Sequence, residues 1–185
     1  MLNTYEGKKF KGKKITIKFL GEGDIKKAEK FKKFINELAE DKTAYISTKS
    51  KKTLKEEREW LKDKLKKIKK QQAVFLVAET NNKVVGTTSI ALMPDVQNHV
   101  GSLGISILKD YRGIGLGKYL MKEILKLAKN KLKPRPKMIR LSVFSRNKIA
   151  ILLYKKMGFK IVAKIPKQFN FNGKLLDEII MVLKL

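Results

Sequence analysis

Three glycines, Gly113, Gly115 and Gly117, stand at alternate positions between an apolar run and a stretch of helical periodicity. This junction, DYRGIGLG, constrains the fold more than any other part of the chain. The run before it, GSLGISIL (Gly101–Leu108), has the length and character of a strand. The stretch after it places Leu120, Ile124, Leu127 and Ala128 at helical spacing, from Gly115 to about Leu132. KPRP then ends the helix, and MIRLSVFS reads as the next strand. A strand followed by a helix and a second strand in one sheet forms a parallel crossover. The centre of the chain is therefore such a crossover, with glycine where the backbone turns.

The flanking segments complete a mixed α/β pattern. KITIKFL (Lys14–Leu20) alternates apolar and polar residues as a half-buried strand does. GEGD breaks it, and Asp24 is placed to cap a helix in which Ile25, Ala28, Phe31, Ile35 and Leu38 form the buried stripe. Thr53 and Glu56 form a capping box for a second helix, with Trp60, Leu61, Leu65 and Ile68 turned inward. AVFLVAET and KVVGTTSIAL are strands joined across Asn81-Asn82. After the crossover, NKIAILLYKKM is a short helix closed by Gly158, and the chain ends in a hairpin, Lys160–Phe171 with Lys174–Leu183, about Asn172-Gly173. The expectation is one layered α/β domain over residues 1–185, with residues 1–13 a basic leader. Its sheet is mixed but mostly antiparallel, with about seven strands including one parallel pair, and four main helices accompany it.

Composition narrows the function. The 185 residues carry 44 lysines and arginines against 17 acidic groups, a net charge of +27. Such a field attracts polyanions. The basic residues are nevertheless spread along the whole chain, without an arginine-rich block interleaved with aromatics. They read first as a lysine-rich solvated surface. A basic nucleic-acid-binding protein, whose binding would weaken steeply with salt, is the alternative of another class. The absence of cysteine excludes disulfides and thiolate chemistry, and a single histidine, His99, excludes a histidine-built metal cluster within one chain. No apolar stretch is long enough to span a bilayer and the N-terminus lacks a secretory apolar segment, so a cytoplasmic protein without a membrane partner is expected.

The glycine turn fits neither common phosphate template. A P-loop counted from Gly113 needs glycine at 118 and a serine or threonine beyond the lysine, but the chain has Lys118 and Tyr119. A dinucleotide fingerprint takes Gly113 and Gly115 and then fails at the same lysine. What remains is Arg-x-x-Gly-x-Gly, Arg112 to Gly117, directly after a strand and opening a helix. Glycines let amide groups converge on an anion, the helix N-terminus adds a favourable dipole, and Arg112 adds a charge. LGISILKDYRGIGLGKYLMKEIL resembles motif A of the GNAT superfamily of N-acetyltransferases, which cradles the pyrophosphate of acetyl-CoA. NKIAILLYKKMGF (Asn147–Phe159) resembles that family's second diagnostic segment. In it Asn147, Ala150 and Tyr154 share one helix face, while Ile149, Leu152 and Leu153 are expected to point into the core.

The resemblance implies a function and a set of roles. The donor would be acetyl-CoA, with no metal, and the acceptor amine would attack the thioester directly. The strand through Ile105, Ile107 and Leu108 would hold the pantetheine arm, its backbone amides polarising the carbonyl, and the thioester would lie where this strand and its parallel neighbour splay apart. Arg112, Gly113, Ile114, Gly115, Leu116, Gly117 and Lys118 would fix the pyrophosphate. Asn147 and Ala150 would border the arm, and Tyr154 would protonate the departing thiolate. Many relatives carry a glutamate early in the fourth strand. Here GSLGIS puts Ser102 near that position, a poor base, so deprotonation is expected through water relayed by Ser102 or by a carboxylate from elsewhere. Glu79, Asp177 and Glu178 are the carboxylates weighed, each reading first as a surface or strand-end group, and His99 reads as an exposed spectator. TLKEEREWLKDKL and LLDEIIMVLKL resemble members that modify ribosomal-protein N-termini or small amines. The strong positive charge repels free polyamines and favours a protein or peptide amine, with ribosome association compatible with it. A small-molecule amine or polyamine is the alternative acceptor, and a CoA-binding domain without catalysis the alternative role. Oligomeric state, a homodimer included, is left open by the sequence.

Overall fold

The computed structural model describes residues 7–46 and 49–185. Eight strands lie in one sheet, β1 (Lys8–Phe10), β2 (Lys13–Phe19), β3 (Ala73–Thr80), β4 (Lys83–Leu92), β5 (Val100–Ile107), β6 (Met138–Phe144), β7 (Lys160–Phe171) and β8 (Lys174–Lys184), in the order β1-β2-β3-β4-β5-β6-β8-β7. The helices are α1 (Gly23–Lys26), α2 (Ala28–Glu40), α3 (Leu54–Lys69), α4 (Leu116–Lys131) and α5 (Lys148–Lys156). Every neighbouring pair of strands is antiparallel except β5 and β6, the two strands that α4 connects. The crossover read from the glycine junction is thus borne out, as are the turns at Asn81-Asn82 and Asn172-Gly173, all four residues having positive φ.

Strand β3 is buried on both faces for six consecutive residues because helices cover both sides there. On one face, Trp60 of α3 sets its ring edge-on to Phe75. On the other, α4 buries Leu116, Leu120, Met121, Ile124, Leu127 and Ala128. The parallel rungs are tight. A Cβ on Gly101 would come within 2.7 Å of Ile139 and of Ile90, so any side chain there must displace these two buried isoleucines.

Several expectations need correction. The leader's first six residues lie outside the described residues, but Lys8–Phe10 adds an eighth strand to the sheet, and Phe10 is buried against Tyr119 of α4. The first predicted helix is two, broken at Lys27 (φ −102°, ψ 20°). Asp24 does not cap it. Its buried carboxylate instead accepts from the Gly21 N–H and from Lys18. Phe34 takes a core position in α2, while Ile25 and Ile35 are only half-buried. The Thr53–Glu56 capping box is present. Trp60, however, is 38% exposed, and the inward stripe of α3 is Glu57, Leu61 and Leu65. In α5, Ile149 and Leu152 are 83% and 58% exposed. The face that carries Asn147, Ala150 and Tyr154 is the inward one, so residues about 200° away from it must meet solvent.

Candidate active site

The crossover builds a wedge. Strands β5 and β6 pair over only three positions, Val100↔Met138, Gly101↔Ile139 and Ser102↔Arg140. Beyond them β5 continues to Ile107 beside β4 alone, and β6 continues to Phe144 beside β8 alone. Leu108 donates its N–H to Val85, so alternate residues counted back from it face β4. The main-chain groups of Leu103, Ile105 and Ile107 therefore face the wedge. Leu108 cannot polarise a carbonyl with its committed N–H, and of the strand residues singled out in the sequence only Ile105 and Ile107 offer groups there, Ile107 through its N–H alone because its carbonyl accepts from Arg112.

The glycine turn lies at the mouth of this wedge. Tyr111 and Arg112 spend their N–H groups on a short 3-10 turn, bonding to Leu108 and Lys109, and the first bond of α4 is from Tyr119 to Gly115. Six consecutive N–H groups, Gly113 to Lys118, find no acceptor among the described residues. Gly113 and Gly115 have φ of +72° and +93°, which makes the intervening amides concave, an anion-binding shape. No side chain caps α4, so its N-terminal dipole adds to the same spot. At Gly117 the turn meets both sides of the wedge. A Cβ there would lie 3.4 Å from Ile107 and 3.5 Å from Leu153. The exposed Lys118 adds a cation without a partner among the described residues, and the β1–β2 hairpin brings two further cations, Lys8 over the Tyr119 ring and Lys13 donating to the Asp110 carbonyl.

Arg112 is used differently from the expectation. Its Nε donates to the Ile107 carbonyl at 2.8 Å, Nη1 to Thr43 at 3.1 Å and Nη2 to Asp41 at 2.8 Å. The guanidinium is spent fastening the α2–α3 loop to the end of β5 rather than left free for an anion. Burial raises the Asp41 pKa, but hydrogen bonds from Thr43 and the Arg112 charge outweigh it and hold the carboxyl below its usual range. The same loop brings Tyr45 against Phe144 and Phe171, and Phe169 stacks on Phe144, so an aromatic cluster walls the far end of the wedge.

The remaining sequence-selected residues fall on either side. Asn147 caps α5 by accepting from the Ala150 N–H at 3.2 Å. Tyr154 is 7% exposed beside Phe159, its hydroxyl has no partner among the described residues, and burial pushes its pKa up to about 12. Ser102 is exposed at the last parallel rung, across from Arg140. Glu79 is held by Lys18 and Lys30 on the α2 side of β3. Asp177 is held by Lys164 and the Lys167 N–H, and Ser142 donates to Glu178. His99 is half-buried in the approach to β5 rather than exposed, and its carbonyl accepts from Lys137. No group of three or more His, Asp or Glu side chains among the described residues could hold a metal ion, and no helix among them is long and apolar enough to cross a membrane.

The model of the acetyltransferase (GNAT) family matches residues 32–159, from α2 to just past α5, which includes the wedge and the turn. The chain belongs to the GNAT family. An N-alpha-acetyltransferase of Sulfurisphaera tokodaii is 29% identical over 116 residues, 58% of this chain and 68% of that protein. The L-amino acid N-acetyltransferase AaaT of Escherichia coli is 36% identical over 107 residues, 55% of this chain and 62% of that protein. The chain thus spans about two thirds of the length of these curated relatives. The crystal structure of a GNAT-family acetyltransferase from Streptococcus pneumoniae superposes with a TM-score of 0.80 at 25% identity, over 92% of this chain and 99% of that one. Other solved structures of the same fold hold acetyl-CoA or coenzyme A. The family and fold implied by the glycine turn are borne out, and with them the N-acetyltransferase class of this GNAT chain.

Proposed function

We propose that this GNAT chain transfers the acetyl group of acetyl-CoA to a primary amine of a protein or peptide, by direct attack on the thioester. The observation that carries the reading is the run of six unpaired N–H groups from Gly113 to Lys118, set at the mouth of a wedge whose β5 wall keeps free main-chain groups. A diphosphate is the ligand such a run fits, and an extended amide-bearing arm is what the free edge of β5 fits. The thioester supplies an activated acetyl group.

Every other contribution comes from the chain. Gly113, Ile114, Gly115, Leu116, Gly117 and Lys118 hold the diphosphate. Arg112 keeps the turn and the α2–α3 loop in register. Ile105 and Ile107 line the arm and orient the carbonyl, an oxyanion-hole contribution. Asn147 and Ala150 border the opposite side. Burial keeps Tyr154 protonated across the neutral range, as a donor to the departing sulfur must be. Ser102, at the apex, holds a water that carries a proton off the amine. Placing two reactants side by side in this way supplies much of the acceleration.

Charge supports a peptide over a polyamine. The net +27 repels a polycation, and no group of three or more acidic side chains among the described residues gathers closely enough to hold a metal ion. A peptide at a ribosome suffers less repulsion, because RNA compensates the field. A free amino acid is the second reading, favoured by the AaaT relative. The test is acetyl-CoA turnover against peptides with varied first residues, alongside L-amino acids and polyamines. Turnover on peptides at least tenfold above the rest supports the reading. Preference for free amino acids moves it to the second, and cofactor binding without any turnover makes the chain a CoA-binding domain.

A further inference from the structure

A serine-held water relays a proton but cannot keep it, so the reaction needs a basic group at the end of the relay. One carboxylate in the described chain is placed and left free for that. Glu57 is 6% exposed and lies one helical repeat before Leu61 and two before Leu65, so it points inward with them. The other buried acid, Asp24, has Lys18 and the Gly21 N–H. Glu57 accepts no hydrogen bond and forms no ion pair among the described residues, in a chain with 44 basic side chains. Nor is it sealed. The sole buried, unsatisfied side-chain oxygen among the described residues belongs to Glu79, so the oxygens of Glu57 reach open space.

Helix α3 covers the face of the sheet that the serines of β5 share. Trp60, three residues on, packs against Phe75, which is in register with Ser89 and, across β4, with Gly104. Strand alternation puts Ser102, Ser106 and Arg140 on that same face. Helix α3 runs back towards the start of β3, so its first turns lie towards the end of the sheet where β5 has left β6. The loop that leads into α3 is the one that Arg112 fastens to β5.

We propose, resting on the acetyltransferase reading above, that Glu57 is the general base: its carboxylate takes a proton from the acceptor ammonium, directly or through water. The freed electron pair of the nitrogen forms the bond to the acetyl carbon, and the carbon–sulfur bond breaks with its pair going to sulfur. Of the two protons the nitrogen gives up, one passes through Glu57 to solvent. The other replaces the proton that Tyr154 delivers to sulfur.

Glu57 is tuned for this by isolation. Burial pushes its pKa up to about 7, Lys52 draws it down, and Glu56 pushes it further up. The acids on the elements packed around α3 are engaged elsewhere. Glu79 of β3 is with Lys18 and Lys30, Glu37 of α2 is with Lys83, and Glu22 beside α1 is with Lys69.

The test is kcat/KM against pH for wild type and Glu57→Gln, using an amine that wild type acetylates, with the acetyl-CoA Kd measured by calorimetry. Wild type should lose rate tenfold per pH unit below a limb near 7. The variant should be about 100-fold slower at pH 7, with its limb moved to the pKa of the amine itself. Its acetyl-CoA Kd should stay within about twofold, which excludes misfolding as the cause. Glu57→Asp should keep a limb near 7 at reduced rate. A Glu57→Gln profile that overlays the wild type, or a slower one with the limb in its original place, would overturn the assignment. Wild type that binds acetyl-CoA but acetylates no amine would overturn the acetyltransferase reading, and this one with it.

Discussion

Glu57→Gln should stabilise the folded protein, by an amount that grows with pH. The side chain ionises near 4.5 when free and near 7 in the fold, because burial disfavours the anion. The folded state therefore holds a proton that the unfolded chain has released throughout the window between these values. Stability must then fall as pH rises through that window. A displacement of this size is worth roughly 3 kcal/mol at about 1.4 kcal/mol per pH unit. Glutamine has the same shape and no such dependence. The two proteins should thus differ little in stability near pH 4.5 and by about 2–3 kcal/mol at pH 8, with glutamine ahead. Urea denaturation at pH 5, 6, 7 and 8 measures this directly. Parallel stability curves across the range would show that the carboxylate is solvated or paired in solution, which would refute both its isolation and its fitness as a base.

Other perturbations separate the parts of the site. Gly115→Ala forces a side chain onto a residue at φ +93° and re-aims the free N–H run. It should cost about 1–2 kcal/mol of stability and weaken acetyl-CoA binding at least tenfold by calorimetry. Arg112→Met frees the α2–α3 loop from Ile107, Thr43 and Asp41, so steady-state kinetics should show a several-fold higher KM for the acceptor, with the acetyl-CoA Kd moving less. Tyr154→Phe should lower kcat about 10–100-fold while the acetyl-CoA Kd holds. Lys52→Met removes the nearby cation that draws Glu57 down, and the acid limb of kcat/KM should move to higher pH.

The sequence made the scaffold of the site legible because glycine and strand patterns act locally. Gly113 and Gly115 mark positive φ, and Asn81-Asn82 and Asn172-Gly173 mark tight turns, whatever the rest of the chain does. The splay of the parallel pair is implied by the family resemblance, but its extent is not written locally in the sequence. Nothing in GSLGISIL says that β5 pairs with β6 for only three rungs; that follows from where α4 returns the chain. The role of Arg112 is hidden for a related reason. Its neighbours in sequence suggest a phosphate, whereas its partners Asp41 and Thr43 lie about seventy residues away and come together only through the fold. Glu57 was legible in principle. In TLKEEREWLKDKL it stands four residues before Leu61, a charged residue on the apolar stripe, but large aromatics such as Trp60 are more often buried than glutamates and mask it.

The two demands of the reaction pull electrostatics in opposite directions, and the fold answers each in a different place. The donor carries several phosphate charges, so cations and unpaired N–H groups belong at the glycine turn, where Lys118, Lys8 and Lys13 lie around α4. A positive field also disfavours an ammonium and so helps the acceptor lose its proton. The same field would disable a carboxylate base. A lysine in contact with Glu57 would hold it as an anion with a depressed pKa, as Lys62 does for Glu59 and Lys67 for Asp63. In a chain this rich in lysine, a base can work near neutral pH only where no lysine makes contact with it. The inward stripe of α3, behind Leu61 and under the Trp60–Phe75 contact, is such a place. Surface charge can therefore drift widely in a chain of this kind without touching catalysis, provided that no cation enters that stripe.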